Sequence, residues 1–179
     1  IMPSLKEIKN RITSVQSTRK ITSAMKMVAS SKLHHAQMMI ENMLPYENLL
    51  ESMLKTYLEA EVDARTVLTL PREVKKAALV VFASNSSLCG GFNANVLKMM
   101  QQAVDGYKKR GVEVIIYPVG RKVSEKVNKL GLNTAGNFNS LADKPNARDC
   151  VKIGEELQEL FRKDEIDAVE MICPLYKSP

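Results

Sequence analysis

Residues 4–58 contain no glycine and a single proline, Pro45, and nothing else in the chain constrains its fold as strongly. A stretch this free of helix breakers reads as one helix of about 50 residues, roughly 75–80 Å long at 1.5 Å per residue. Ser4 stands as its N-cap, and Glu7 three residues later makes a capping box. Pro45 removes one backbone bond, but the pattern continues on both sides of it, so a bend is expected and not a stop. From Leu5 the positions recur at 3-4 spacing: Leu5, Ile8, Ile12, Val15, then Arg19, Thr22, Lys26, Ala29, then Leu33, Ala36, Ile40, Met43, and after Glu47, Leu50, Leu54, Tyr57. The register is unbroken, yet its middle is polar. At Arg19, Thr22 and Lys26 the apolar set moves about one residue round the helix, to Ile21, Met25 and Val28. A simple two-stranded coiled coil keeps its seam throughout; this one changes partner midway. An apolar stripe of this length requires a partner helix, and no second helix of the kind follows in the sequence.

Charge is placed unevenly. The formal net charge is +6. Residues 1–40 carry Lys6, Lys9, Arg11, Arg19, Lys20, Lys26 and Lys32 against Glu7 alone, while the remaining bases and acids cancel. A solvated helix face, an acidic protein partner and nucleic acid all fit that excess. The bases lie on several faces without interleaved aromatics, which argues against a nucleic-acid groove.

The texture changes after Pro71. Ala77–Ala83 is a continuous apolar run with β-branched residues, a buried strand. A loop leads to a helix over 93–109, stopped by Gly111; Val112–Val119 is a second strand, and a short helix runs from Gly120 to Leu130. Leu132–Phe138 is a weak strand candidate, Asn146–Arg162 a helix, and Ile166–Cys173 a strand. The alternation predicts a small Rossmann-like α/β domain with a mostly parallel sheet and helices on its faces. The expected organisation is a shaft helix over 1–58, a linker over 59–76 and the α/β domain over 77–179. Met2 is read as the natural start, with Ile1 ahead of it.

Evidence for catalysis is thin. Gly90-Gly91 before a helix N-terminus has an anion-binding geometry, but neither G-x-G-x-x-G nor a Walker A motif is present. The two glycines are better explained by tight backbone packing where strand meets helix. Cys89 beside them lacks a downstream arginine and a histidine partner, so it reads as a small structural hydrophobe. The adjacent His34 and His35 diverge by about 100° on a helix and cannot share a metal. The three cysteines, Cys89, Cys150 and Cys173, are widely spaced and read as reduced thiols. Met25, Met27, Met38, Met39 and Met43 suit either adaptable sliding contacts or ordinary coiled-coil filler. No cofactor is expected.

Two segments carry a family resemblance on the long helix: Ser4-Leu5-Lys6-Glu7-Ile8-Lys9-Asn10-Arg11-Ile12 and Thr18-Arg19-Lys20-Ile21-Thr22-Ser23-Ala24-Met25-Lys26-Met27-Val28-Ala29. Ser84…Leu88-Cys89-Gly90-Gly91-Phe92-Asn93 and Gly120-Arg121-Lys122 carry it on the α/β domain. In order and spacing the chain resembles the gamma subunit of F-type ATP synthases over essentially its whole length. Asn85-Ser86-Ser87 departs from the acidic residue, arginine and glycine usual there, and the family's long C-terminal helix has no counterpart, so the chain is read as a fragment. The resemblance implies a non-catalytic rotor shaft whose partners are the alpha and beta subunits of the F1 ring, the epsilon subunit and the c-subunit ring. It places such a shaft at the cytoplasmic face of the inner membrane, coupling proton-driven rotation to ATP synthesis. Arg19, Lys20, Met25, Lys26 and Cys89 fall where the family meets its beta subunits. Leu5, Ile8, Ile12, Val15, Ile21, Val28, Leu33, Ile40, Met43, Leu50 and Leu54 are then the shaft seam. With that seam uncovered, the fragment is expected to self-associate. The rival reading is a nucleotide-binding α/β domain with a coiled-coil oligomerisation arm.

Overall fold

The computed structural model describes residues 4–60 and 67–174. Residues 1–3, residues 61–66 of the expected linker and residues 175–179 lie outside them. The chain divides into two units, residues 1–64 and 65–179.

The first unit is one helix, α1 (Leu5–Glu59). Ser4 caps it, its Oγ accepting from Glu7 N–H at 3.3 Å. The Glu7 carboxylate lies 3.7 Å from Arg11, so half of the expected capping box is made and the acid serves an i,i+4 pair. Pro45 sits inside the helix without ending it. Thr13, Thr18, Thr22 and Thr56 donate back to carbonyls four residues earlier, at 2.8–3.0 Å, which satisfies hydroxyls on an otherwise solvated rod. No residue of α1 is buried, and the eleven seam residues are 43–87% exposed.

The second unit opens with a 3-10 turn, Val67–Thr69, and continues β1 (Lys76–Phe82), α2 (Phe92–Lys109), β2 (Glu113–Val119), α3 (Arg121–Leu130), α4 (Asn139–Asp143), α5 (Ala147–Arg162) and β3 (Ala168–Ile172). The three strands are parallel in the order β2-β1-β3, with Val80 beside Tyr117 on one side and Met171 on the other. β1 is central and covered on both faces, which is why its sequence is apolar without alternation. Ala77, Leu79 and Val81 pack with Val96, Met100 and Val123 from α2 and α3. Ala78 and Val80 point the other way, toward Leu141 of α4 and Leu157 of α5.

The segment predicted as a strand over 132–138 makes one bridge only, between Thr134 and Ile116. Ile116 donates to Asn133 O at 2.9 Å and accepts from Ala135 N–H at 3.0 Å. The next donor needed along β2 is residue 118, a proline with no N–H, and Gly136 at φ +126° turns the segment away. The short helix α4, absent from the sequence reading, follows this turn.

One arginine ties the start of β1 to the α5–β3 turn. Arg72 Nη1 donates to Asp164 Oδ1 at 2.6 Å and to Phe161 O at 3.1 Å, with its guanidinium carbon 3.7 Å from the Phe161 ring centroid. Asp167 accepts from the main-chain N–H groups of Lys75 and Lys76, both at 2.9 Å. Those two bonds, with the nearby Arg72 and Lys75 charges, hold its carboxyl below the usual range.

Candidate partner-contact surface

On α1 the candidate contact residues Arg19, Lys20, Met25 and Lys26 are all exposed. Seven residues apart, Arg19 and Lys26 stack on one face, while Lys20 diverges from Arg19 by about 100° to one side and Met25 by about 120° to the other. Four residues of opposite reach thus girdle one short length of the helix. On the Arg19 face, small side chains leave a shallow hollow bounded by Ser14, Thr18, Thr22 and Ser23 beside the Arg19 and Lys26 stems. His34 and His35 are exposed, and among the described residues no three His, Cys, Asp or Glu side chains gather as a metal site.

The loop bearing Cys89 is organised by a residue the sequence reading did not single out. Asn93, buried in the first turn of α2, accepts from Ser84 N–H at 3.1 Å and donates to Ser86 O at 2.9 Å and to Cys89 Sγ at 3.0 Å. Its sequence signal was a buried-type position occupied by an amide immediately after Gly-Gly-Phe. Cys89 is half-buried among these polar groups, with Ser86 O at 3.7 Å and Ser84 Oγ at 3.8 Å, so the hydrophobic packing role expected for it is corrected.

A second correction concerns glycine. Gly90 has φ +55° and open space around its missing Cβ, so a turn conformation and not tight packing requires it. Close packing belongs to Gly120, where an added Cβ would stand 2.1 Å from Ala83 O, at φ +111°. Gly120 brings the ends of β1 and β2 together, and Asn85 locks the junction. Its Oδ1 accepts from Arg121 N–H at 2.7 Å, its carbonyl accepts from Arg121 Nη2 at 2.6 Å, and its Nδ2 donates to Asn139 O at 2.9 Å. Asn85, the first of the three positions that depart from the family pattern, therefore spends its amide inside the domain.

In a doubly wound sheet a nucleotide binds outside the carboxyl ends of the strands where the order reverses. That place, between β1 and β3, holds an apolar groove of about 550 Å³ walled by Phe82, Phe92, Leu141, Ile153, Leu157 and Met171. No charged residue lines it, and the first turn of α2, Phe92-Asn93-Ala94-Asn95, carries no basic residue. The groove at this position is thus apolar, with no cationic side chain to meet a phosphate.

Comparison with known proteins agrees with the motifs. Residues 4–179 match the family model described as ATP synthase. The chain is 52% identical to the ATP synthase gamma chain of Phocaeicola vulgatus over 178 residues, 99% of this chain and 62% of that protein. It is 53% identical to the ATP synthase gamma chain of Bacteroides fragilis (strain ATCC 25285) over 178 residues, 99% of this chain and 61% of that protein. The chain belongs to the ATP synthase gamma family. The gamma chain of Flavobacterium johnsoniae is a more distant relative, at 40% identity over 99% of this chain and 61% of its own length. The chain thus spans about six-tenths of the length of the gamma chains it matches. No helix among the described residues is long and apolar enough to cross a membrane.

Proposed function

We propose that the chain is the non-catalytic central-stalk subunit of an ATP synthase, turning inside a ring of alpha and beta subunits. The observation that carries this reading is α1 itself, a 55-residue helix with no buried residue and its basic excess in the first 40 positions. In this reading residues 1–58 are the shaft, 59–76 the linker and 77–179 the α/β domain that meets epsilon and the c-subunit ring. The assembly stands peripheral to the membrane at its cytoplasmic face. Leu5, Ile8, Ile12, Val15, Ile21, Val28, Leu33, Ile40, Met43, Leu50 and Leu54 pair with a second shaft helix of the longer family members. Arg19, Lys20, Met25 and Lys26 meet acidic loops of the beta subunits, with Cys89 contributing from the domain. The hollow at Ser14, Thr18, Thr22 and Ser23 gives a neighbouring side chain room where the apolar seam lapses.

The mechanism needs no reacting group on this chain. One asymmetric shaft presents a different face to each of three identical partners, and the difference in contact free energy biases each toward a different conformational state. Rotation then passes the three states around the ring. The test is co-expression of this sequence, extended to the length of its relatives, with alpha and beta subunits. An ATPase-active complex is expected, with activity falling at least tenfold when Arg19, Lys20 and Lys26 are reversed to Glu. Failure to assemble, together with nucleotide binding by the isolated chain, would overturn the stalk reading in favour of a nucleotide-binding domain.

A further inference from the structure

We propose that Arg72 closes a releasable strap: it holds the segment Val67–Glu73 against the C-terminal end of α5 and so sets how much chain joins α1 to the α/β domain. Three grips converge on its guanidinium. Nη1 donates to the Asp164 carboxylate and to the Phe161 carbonyl, and the guanidinium carbon lies over the Phe161 ring. A cation placed there also meets the negative end of the helix dipole. The Arg72 side chain is 19% exposed, whereas Val67, Leu68 and Leu70 ahead of it are 45–53% exposed. The segment is therefore gripped at Arg72.

The residue that receives Arg72 stands where a helix end is usually served by glycine. α5 closes in a Schellman motif: Glu165 N–H donates to Leu160 O at 2.9 Å and Asp164 N–H to Phe161 O at 3.3 Å. Glycine is the common choice at the left-handed position of that motif. Here the position holds Asp164, at φ +56°, and among the described residues no other non-glycine residue has a positive φ. A side chain there carries a backbone cost that glycine avoids. What the carboxylate adds is the contact with Arg72 at 2.6 Å. Asp164 thus gives up the better cap to make the better grip.

The strap ends where other attachments begin. Val74 packs on the core beside α2, and Lys75 and Lys76 are held through their N–H groups by Asp167, so β1 stays anchored when Arg72 lets go. Release then frees Val67–Glu73, seven residues, or up to about 24 Å of extended chain. Under the stalk reading, rotation is lost taking up that added length before one unit moves the other. The strap itself lies wholly within residues 65–179 and stands without that reading. Lysine cannot replace the arginine, since an ammonium has no plane to lay on the ring while donating to both oxygens.

The test uses the whole 179-residue chain and trypsin, with cleavage after residue 72 followed by mass spectrometry. Cleavage at a locally opened site tracks the population of the open form. Asp164→Gly keeps Arg72 and its peptide bond, suits the left-handed backbone and removes one grip. Cleavage after Arg72 is expected to rise at least tenfold in this variant. Its urea midpoint should be unchanged or higher, and cleavage within residues 76–174 unchanged. Arg72→Lys keeps a trypsin site and the positive charge, and a rise of at least tenfold after residue 72 is expected there too. An unchanged rate after residue 72 in either variant would overturn the strap. So would a urea midpoint that falls in Asp164→Gly, or a rise spread equally over residues 76–174, because the contact would then be ordinary fold stability with no separate release.

Discussion

A carboxylate that accepts two main-chain N–H groups is worth more to the fold than its exposure suggests, and Asp167 is such a group. Its folded-state affinity for protons is lowered, first by those two bonds and then by Arg72 and Lys75. The stability it contributes is therefore fully present above the ordinary carboxylate range, near 4. It is lost as pH falls through the depressed folded value. Asp167→Asn is expected to cost about 1 kcal/mol at neutral pH, a typical net hydrogen-bond contribution, and to flatten the acid limb of a urea-midpoint against pH curve. An unchanged acid limb would place the acid sensitivity elsewhere. Glycine offers a second contrast at this scale. Gly120→Ala drives a Cβ onto Ala83 O and is expected to cost more than about 2 kcal/mol or to prevent folding. Gly90→Ala meets open space and carries only the left-handed backbone cost of about 1–2 kcal/mol. Equal losses from the two, read by thermal denaturation, would refute the assignment of tight packing to Gly120.

At the scale of elements, α1 stands or falls on its local sequence. Its one internal flaw is Pro45, which withholds an N–H from the carbonyl four residues back. Pro45→Ala is expected to stabilise the helix by about 3 kcal/mol of intrinsic propensity, seen as higher helical ellipticity and a later thermal loss of it. No change in either would mean that something outside the helix compensates for the proline. Helices and the central strand were legible in sequence because single local signals set them: Ser4 and Asn146 as caps, an apolar run for β1, and Gly111 at φ +72° after α2. The segment over 132–138 was misread because its fate depends on Pro118 in a different strand, a tertiary veto that no local window contains. α4 escaped notice because five residues with one buried side chain, Leu141, carry no periodicity to detect. The contact residues on α1 were identified through motif resemblance. By pattern alone Arg19 and Lys26 register only as polar lapses in a seam. Asn93 and Asn85 were missed as organisers because amides announce their partners only once the chain is folded.

For the whole molecule, the two units divide labour by chemistry. Residues 65–179 hold the buried core, and α1 holds exposed apolar and basic surface with no core of its own. Under the proposed stalk role that division suits a lever: one unit packs a core of its own, and a long helix without one takes its stability from what surrounds it. The central claim is that the basic girdle of the proposed shaft touches the ring inside which it turns. A photo-crosslinking amino acid at Lys20 or Met25, in the full-length subunit assembled with alpha and beta, tests this most directly. The account predicts a crosslinked product containing the beta subunit, reduced when Arg19 and Lys26 are reversed to Glu, and none from the same probe at Ser52. A beta crosslink of equal yield from Ser52, or none from the girdle in an assembled complex, would contradict it.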